Sequence, residues 1–232
     1  MFSKKHDMEH STVTLYGKCA SISNNLDCVL RFAENKEIGS ISLIVPPINS
    51  HKSRSFEILE RFLPNRVCRV QGAVLKKPRQ AVIIQSRDCP TVTIENKETG
   101  EVGVVHAGRE QLINRFNPCL PNGVIEFLMP ILGNPNGDQL NAYITGGICA
   151  KHFGHQDESY IQPFEKLYGS SVITSRSKLK LDLVAVITAI LQKYGVPLEN
   201  IKHDGLCTYS TDWLGSKRAG KNGVNWTIVV KH

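Results

Sequence analysis

Two segments of this sequence carry an apolar run into a polar turn and present a reactive side chain there. In Ile83-Ile84-Gln85-Ser86-Arg87-Asp88-Cys89-Pro90 that side chain is a thiol; in Gly103-Val104-Val105-His106-Ala107-Gly108-Arg109 it is an imidazole. Strand ends of this kind are where α/β proteins place functional groups. Between them, Asn96-Lys97-Glu98-Thr99-Gly100 has the composition of a hairpin loop, so His106 is expected to return close to Cys89. A thiolate and an imidazole held together act either as nucleophile and base or as two ligands of a metal such as zinc or copper. A third donor distinguishes these uses. His51, in Pro47-Ile48-Asn49-Ser50-His51, follows the expected strand Ile41 to Val45 and precedes an expected helix. Two histidines and one cysteine leave the fourth tetrahedral position to water, the arrangement of a catalytic zinc.

Plainer roles stand beside these. A single strand-end cysteine is commonly a small buried hydrophobe, and a lone histidine commonly a satisfied core or surface residue. His152-Phe153-Gly154-His155 offers a two-histidine alternative, while His203 and Cys207 read as structural, and His6, His10 and His232 fall in termini expected to fray. On a strand Asp88 points away from the face of Cys89, which favours a structural role for its carboxylate.

The elements that would position these groups follow from periodicity. Val13 to Lys18, Cys28 to Phe32, Ile41 to Val45, Val67 to Leu75, Ala81 to Gln85, Thr91 to Glu95, Val102 to His106, Ala142 to Ile148 and Trp226 to Val230 read as strands, bounded by turn residues. Ser53 to Phe62, Glu110 to Phe116, Gly123 to Leu132 and Lys180 to Tyr194 read as helices, the last stopping at Gly195 with Pro197 beyond. Strands interspersed with helices predict a mixed α/β (α+β) fold in a single domain over residues 1–232, with residues 1–11 a flexible N-terminus. The chain has 232 residues, 41% hydrophobic, enough for a sizeable core. Its apolar runs fall short of the roughly 20 residues that cross a bilayer, and the charged first residues lack the apolar centre of a signal peptide, so no membrane contact and a cytoplasmic location are expected. Lys and Arg number 28 against 21 Asp and Glu, a net charge of +7, but the cations are scattered. Lys76-Lys77-Pro78-Arg79 and Ser175 to Lys180 approach clusters without interleaved aromatics, which argues against a nucleic-acid partner. Seven dispersed cysteines with no CxxC pair argue against a disulfide scaffold.

Ser86-Arg87-Asp88-Cys89-Pro90-Thr91-Val92 followed by Val104-Val105-His106-Ala107-Gly108 resembles the TADCxPV and HAGWRG signatures of the YfiH-like family. Asn49-Ser50-His51 stands where that family has its QVHG histidine. Gly147 to Phe153 is similar to its glycine-rich segment, Leu181-Asp182-Leu183 to the opening of its late helix, Leu206-Cys207-Thr208-Tyr209 to its CTY element, and Lys217-Arg218 with Gly220 to its SYRR segment. Arg109-Glu110 replaces the family's Trp-Arg, and Tyr16-Gly17-Lys18-Cys19 stands where it has Arg-His-Gly-Gly.

The resemblance implies a layered α/β fold related to the catalytic domain of the cytotoxic necrotizing factor toxins, with His51, Cys89 and His106 as metal ligands. It also implies one of three activities: laccase-like polyphenol oxidation, purine nucleoside phosphorolysis with adenosine deamination, or peptidoglycan editing. The leading expectation is a metal-dependent purine nucleoside enzyme holding zinc or, alternatively, copper. Its small-molecule partners would be a purine nucleoside and phosphate, the latter bound by Arg109, Lys217 or Arg218. Three rivals share the site: a metal-independent hydrolase with Cys89 as nucleophile and His106 as base, a laccase-like oxidase, and a degenerate homologue serving as a binding or regulatory partner.

Overall fold

The structure, a computed structural model, describes residues 3–19, 40–44, 58–59, 66–113 and 123–232. Their strands form two six-stranded sheets. The first contains β1 (Ser3–Asp7), β2 (Ser11–Cys19), β3 (Ser40–Ile44), β5 (Arg66–Cys68), β7 (Gln80–Ser86) and β14 (Val224–Lys231), in the order β1-β2-β14-β7-β3-β5. The second contains β4 (Ile58–Leu59), β6 (Gly72–Leu75), β8 (Thr91–Asn96), β9 (Val102–His106), β10 (Leu140–Thr145) and β13 (Ile201–His203), in the order β13-β10-β8-β9-β6-β4. β3 runs parallel to β5 and β7, and β10 to β13, whereas β8 is antiparallel to both of its neighbours. The expected mixed α/β architecture is therefore present.

Alternation sorts the strands' side chains into layers. From β8 and β9, Val92, Ile94 and Val105 turn to one face, where they pack with Leu128, Phe164 and Ile187 of α2 (Val124–Ile131), α3 (Gln162–Tyr168) and α4 (Leu183–Lys193). Val102 and Val104 turn to the other and meet Val82, Ile84 and Ile44 of the first sheet. Each of these fully buried aliphatic side chains contributes about 1.5–3 kcal/mol relative to exposure. His106, at the end of β9, follows Val102 and Val104 on the alternation, so it belongs to the face between the sheets.

Several expected elements differ in extent. Residues 3–7, within the expected flexible N-terminus, pair antiparallel with β2, the ring of His6 stacks on Tyr143 at 3.9 Å, and Thr12 Oγ1 lies 2.7 Å from His232 Nε2. Within the expected helix over 53–62, Ile58 and Leu59 form a strand parallel to β6, and the remainder lies outside the described residues. The expected strand over 67–75 is broken at 69–71 into β5 and β6, which join different sheets. The expected helix over 110–116 is the short α1 (Arg109–Leu112), its last three residues lying outside the described set. The late helix begins at Leu183 because the Asp182 carboxylate accepts the Val184 and Ala185 N–H groups, the side-chain cap of a helix N-terminus. Lys180 and Leu181 instead form β12, paired with β11 (Ile173–Ser175). The expected strand over 28–32 lies outside the described residues.

Candidate functional site

Residues 87–90 carry the chain from β7 in the first sheet to β8 in the second, and Cys89 sits in this crossover. The β8–β9 hairpin then returns the imidazole. Its loop closes because the Asn96 side chain accepts the Glu98 and Thr99 N–H groups and Gly100 takes φ +65°, a region glycine enters without strain. The register sets His106 opposite Thr91, and the Ala107 N–H donates to the Pro90 carbonyl at 2.9 Å. Cys89 Sγ and His106 Cε1 both face Gly108: a methyl group there would stand 2.8 Å from the sulfur and 3.2 Å from the ring carbon, and 2.5 Å from Gln111 Oε1. The sequence expectation that the hairpin brings Cys89 and His106 together is met; His51 lies outside the described residues.

The environment decides what this pair can do. His106 Nδ1 lies 2.9 Å from Gln71 Oε1, an acceptor, so Nδ1 carries the proton and Nε2 presents its lone pair. Burial pushes His106 down to about 4, so the ring is neutral at ordinary pH. The Gln71 side-chain amide nitrogen is buried and has no hydrogen-bond partner among the described residues. Burial, reinforced by the Asp88 carboxylate, pushes the Cys89 thiol up to about 12, against the opposing charge of Arg109. Thiol and imidazole are therefore both uncharged, a state suited to a cation that would draw the proton from sulfur. A borderline-soft ion fits these two donors: one sulfur and one imidazole nitrogen with its tautomer set by a second residue.

Asp88 is fully engaged elsewhere. Its carboxylate accepts the Thr208 hydroxyl at 2.9 Å, the Ser216 hydroxyl at 2.6 Å and the Arg218 N–H at 3.0 Å, and its carbonyl accepts the Ile148 N–H at 2.8 Å. It thus ties the Cys89 crossover to three later segments.

Two of the three expected cations, Arg109 and Arg218, converge on residues 153–155. Arg109 reaches His155 Nδ1 at 3.0 Å, pairs with Glu110 and lies 4.3 Å over the Tyr160 ring. Arg218 donates to the Gly154 carbonyl at 2.7 Å and lies 5.2 Å from the Phe153 ring, while Lys217 is exposed. His152 and His155 do not act as a pair: His155 faces Arg109, and His152 Nδ1 lies 3.3 Å from Cys149 Sγ and 3.6 Å from Cys207 Sγ. Cys207, read from sequence alongside His203, thus joins Cys149 and His152 instead. Cys149 and Cys207 tune one another. Burial and the neighbouring Cys207 push Cys149 up; at Cys207 burial is outweighed by hydrogen bonds from Cys149 and His152, which hold it at about 6. The spacing Cys149-x2-His152 is the signal that the pairing of His152 with His155 passed over.

Residues 31–231 match a family model described as multi-copper polyphenol oxidoreductase laccase. The chain is 28% identical to a purine nucleoside phosphorylase of Campylobacter jejuni over 183 residues, which cover 79% of this chain and 74% of that protein. It is 23% identical to a purine nucleoside phosphorylase of Deinococcus radiodurans over 157 residues, 67% of this chain and 59% of that protein. Among solved structures, the hypothetical protein YfiH of Bacillus licheniformis superposes with a TM-score of 0.71 at 16% identity, covering 95% of this chain and 92% of that one. YlmD of Geobacillus stearothermophilus superposes with a TM-score of 0.71 at 14% identity, covering 97% and 93%. At these identities the superpositions show a shared fold.

Proposed function

The chain belongs to the multi-copper polyphenol oxidoreductase laccase family, a divergent YfiH-like member, and from that premise we propose that it is a metal-dependent purine nucleoside phosphorylase of the cytoplasm. In this reading His51, Cys89 and His106 hold a zinc-class ion, which when bound supplies Lewis-acid polarisation and an acidified water ligand. The observation that carries the reading is the Gln71–His106 hydrogen bond, which leaves Nε2 unprotonated on the ring that shares Gly108 with the Cys89 sulfur. Gln71 orients the imidazole. The buried Gln71 amide nitrogen has no partner among the described residues and is a spare donor beside that ring. Arg109, Lys217 and Arg218 are the cations assigned to phosphate. Phosphorolysis forms a bond from a phosphate oxygen to the ribose C1′ and breaks the C1′–N bond; the base leaves with the electron pair and takes up a proton. Arg109 would have to exchange its Glu110 partner for the anion, so its contribution depends on that side chain turning.

The metal-free cysteine hydrolase is disfavoured by the thiol itself. Burial pushes Cys89 up to about 12, so without a bound cation it is not the thiolate that such a nucleophile requires, although the Gln71-oriented ring leaves Nε2 placed as a base.

The deciding measurement is elemental analysis of untagged protein and of His51→Ala, Cys89→Ala and His106→Ala, alongside turnover of inosine and adenosine with and without phosphate. One equivalent of zinc lost from each of the three variants relative to the parent, together with phosphate-dependent turnover, supports the reading. A parent free of metal, or one that oxidises phenols with oxygen uptake and leaves nucleosides intact, overturns it.

A further inference from the structure

Cys149, His152 and Cys207 form a second group of soft donors, built from different elements than Cys89 and His106. Cys149 and His152 begin and end one reverse turn, closed by the His152 N–H donating to the Cys149 carbonyl at 2.9 Å. Cys207 arrives from a remote segment, placed beside that turn because the Thr208 N–H donates to the Gly147 carbonyl at 2.9 Å. The three donor atoms then lie within 4.8 Å of one another, with His152 Nδ1 at 3.3 and 3.6 Å from the two sulfurs.

Those separations can be compared with a coordination sphere. A tetrahedral zinc with bonds of about 2.3 Å to sulfur and about 2.0–2.1 Å to nitrogen holds sulfur and nitrogen about 3.6 Å apart. The observed distances are of that size. A single Nδ1 carries either one hydrogen or one lone pair and so satisfies one sulfur well, whereas one cation satisfies all three atoms at once. The surroundings fix the donors as second-layer partners fix metal ligands. The His152 ring stacks on Tyr209 at 4.2 Å with 11° between planes, and the Cys149 N–H donates to Cys207 Sγ at 3.2 Å. Cys149 also lines a cavity of about 240 Å³ whose wall includes Asp182, His203 and Asp204.

We propose that this cluster is a second, thiophilic metal site for a zinc-class ion, with Cys149 Sγ, His152 Nδ1 and Cys207 Sγ as ligands and the fourth position left to water or a small exogenous ligand. The proposal does not depend on the metal assigned to His51, Cys89 and His106.

The test uses the full chain carrying Cys89→Ser, which removes the thiol of the other site. The protein is stripped with a chelator and titrated with zinc(II) and with cobalt(II). The expected result is one tightly held equivalent, seen with cobalt as thiolate-to-metal charge transfer and intense tetrahedral d–d bands. That equivalent is lost when Cys149→Ser or His152→Ala is added. Because Cys207 is buried and its replacement can disturb folding, the half-buried turn residue His152 keeps the test decisive. A Cys89→Ser protein without thiolate–cobalt absorption overturns the proposal, as does a signal unchanged by both added substitutions. A Cys149–Cys207 disulfide recovered in place of the metal overturns it as well.

Discussion

Replacing Gly108 with alanine should damage the candidate site without disturbing the backbone. Gly108 has φ −70° and ψ 162°, an extended conformation open to any residue, so the effect is steric. The new methyl would stand 2.5 Å from Gln111 Oε1, 2.8 Å from Cys89 Sγ and 3.2 Å from His106 Cε1, whereas ordinary contacts between heavy atoms lie near 3.5–4.0 Å. Gln111 can swing its amide away. His106 is less free, because Gln71 holds both its Nδ1 at 2.9 Å and its backbone N–H at 2.7 Å. Most of the displacement therefore falls on Cys89, which must retreat by on the order of 0.7 Å, beyond the roughly 0.2 Å within which a metal site's distances are held. Overpacking of this kind costs about 1–3 kcal/mol, and for a chain of this size each kcal/mol lowers Tm by about 2–4 °C. Calorimetry should show Gly108→Ala melting about 2–12 °C lower. Elemental analysis should show metal lost from the His51–Cys89–His106 set. A variant with the parent's metal content and a Tm within about 1 °C of it would refute the placement of Cys89 and His106 against this glycine.

Three further outcomes follow from the same geometry. Asp88→Ala strands three donors in Thr208, Ser216 and Arg218, so urea unfolding should show a loss of about 3 kcal/mol; a loss below about 1 kcal/mol would contradict the tie. In the metal-free chain His106 is neutral down to about 4 while the unfolded imidazole protonates near 6.5, so the unfolded state binds the extra proton first and stability falls as pH drops from 6.5 to 4. With allowance for partial exposure that contribution is about 2–3 kcal/mol, and His106→Gln should flatten the parent's stability curve over this window. Finally, with Cys89 raised to about 12, its thiolate fraction at pH 8 is on the order of one in ten thousand, so peptide mapping should find it alkylated about a thousandfold more slowly than an exposed thiol in the chelated protein.

The hairpin that pairs Thr91 with His106 was legible because β8 and β9 alternate and Asn96 and Gly100 mark the turn between them. The late helix was legible from its apolar repeat and its stop at Gly195, though its start was not. Asp182 competes for the helix terminus as a cap, which frees Lys180 and Leu181 to join a strand. β1 was invisible for a different reason. Ser-Lys-Lys-His-Asp has side chains that are largely exposed, so it lacks the apolar alternation that marks a strand, and backbone pairing with β2 holds it. α3 carries a Pro in its first turn, a start signal that its short length obscured. The Cys149–His152–Cys207 cluster was half legible. The x2 spacing of its turn lies in the sequence, but Cys207 reaches it only through hydrogen bonds from Thr208 to Gly147 and Asp88, which no local pattern encodes.

The place of β14 in the first sheet has a bearing on how the molecule is made. This strand lies between β2 and β7, so until residues 224–231 have been synthesised both neighbours present an open edge. The Asn225 side chain also donates to the Arg87 carbonyl across 138 residues of sequence and clasps Gly215 through both its oxygen and its nitrogen, so this further brace of the Cys89 crossover, beside the ties from Asp88, forms only with β14. Such remote pairings close slowly, because the loop entropy is lost before the contacts repay it. A chain with its hairpin already paired therefore keeps two open sheet edges until β14 inserts between them, so completion of the first sheet is one remote closure rather than a strand-by-strand growth.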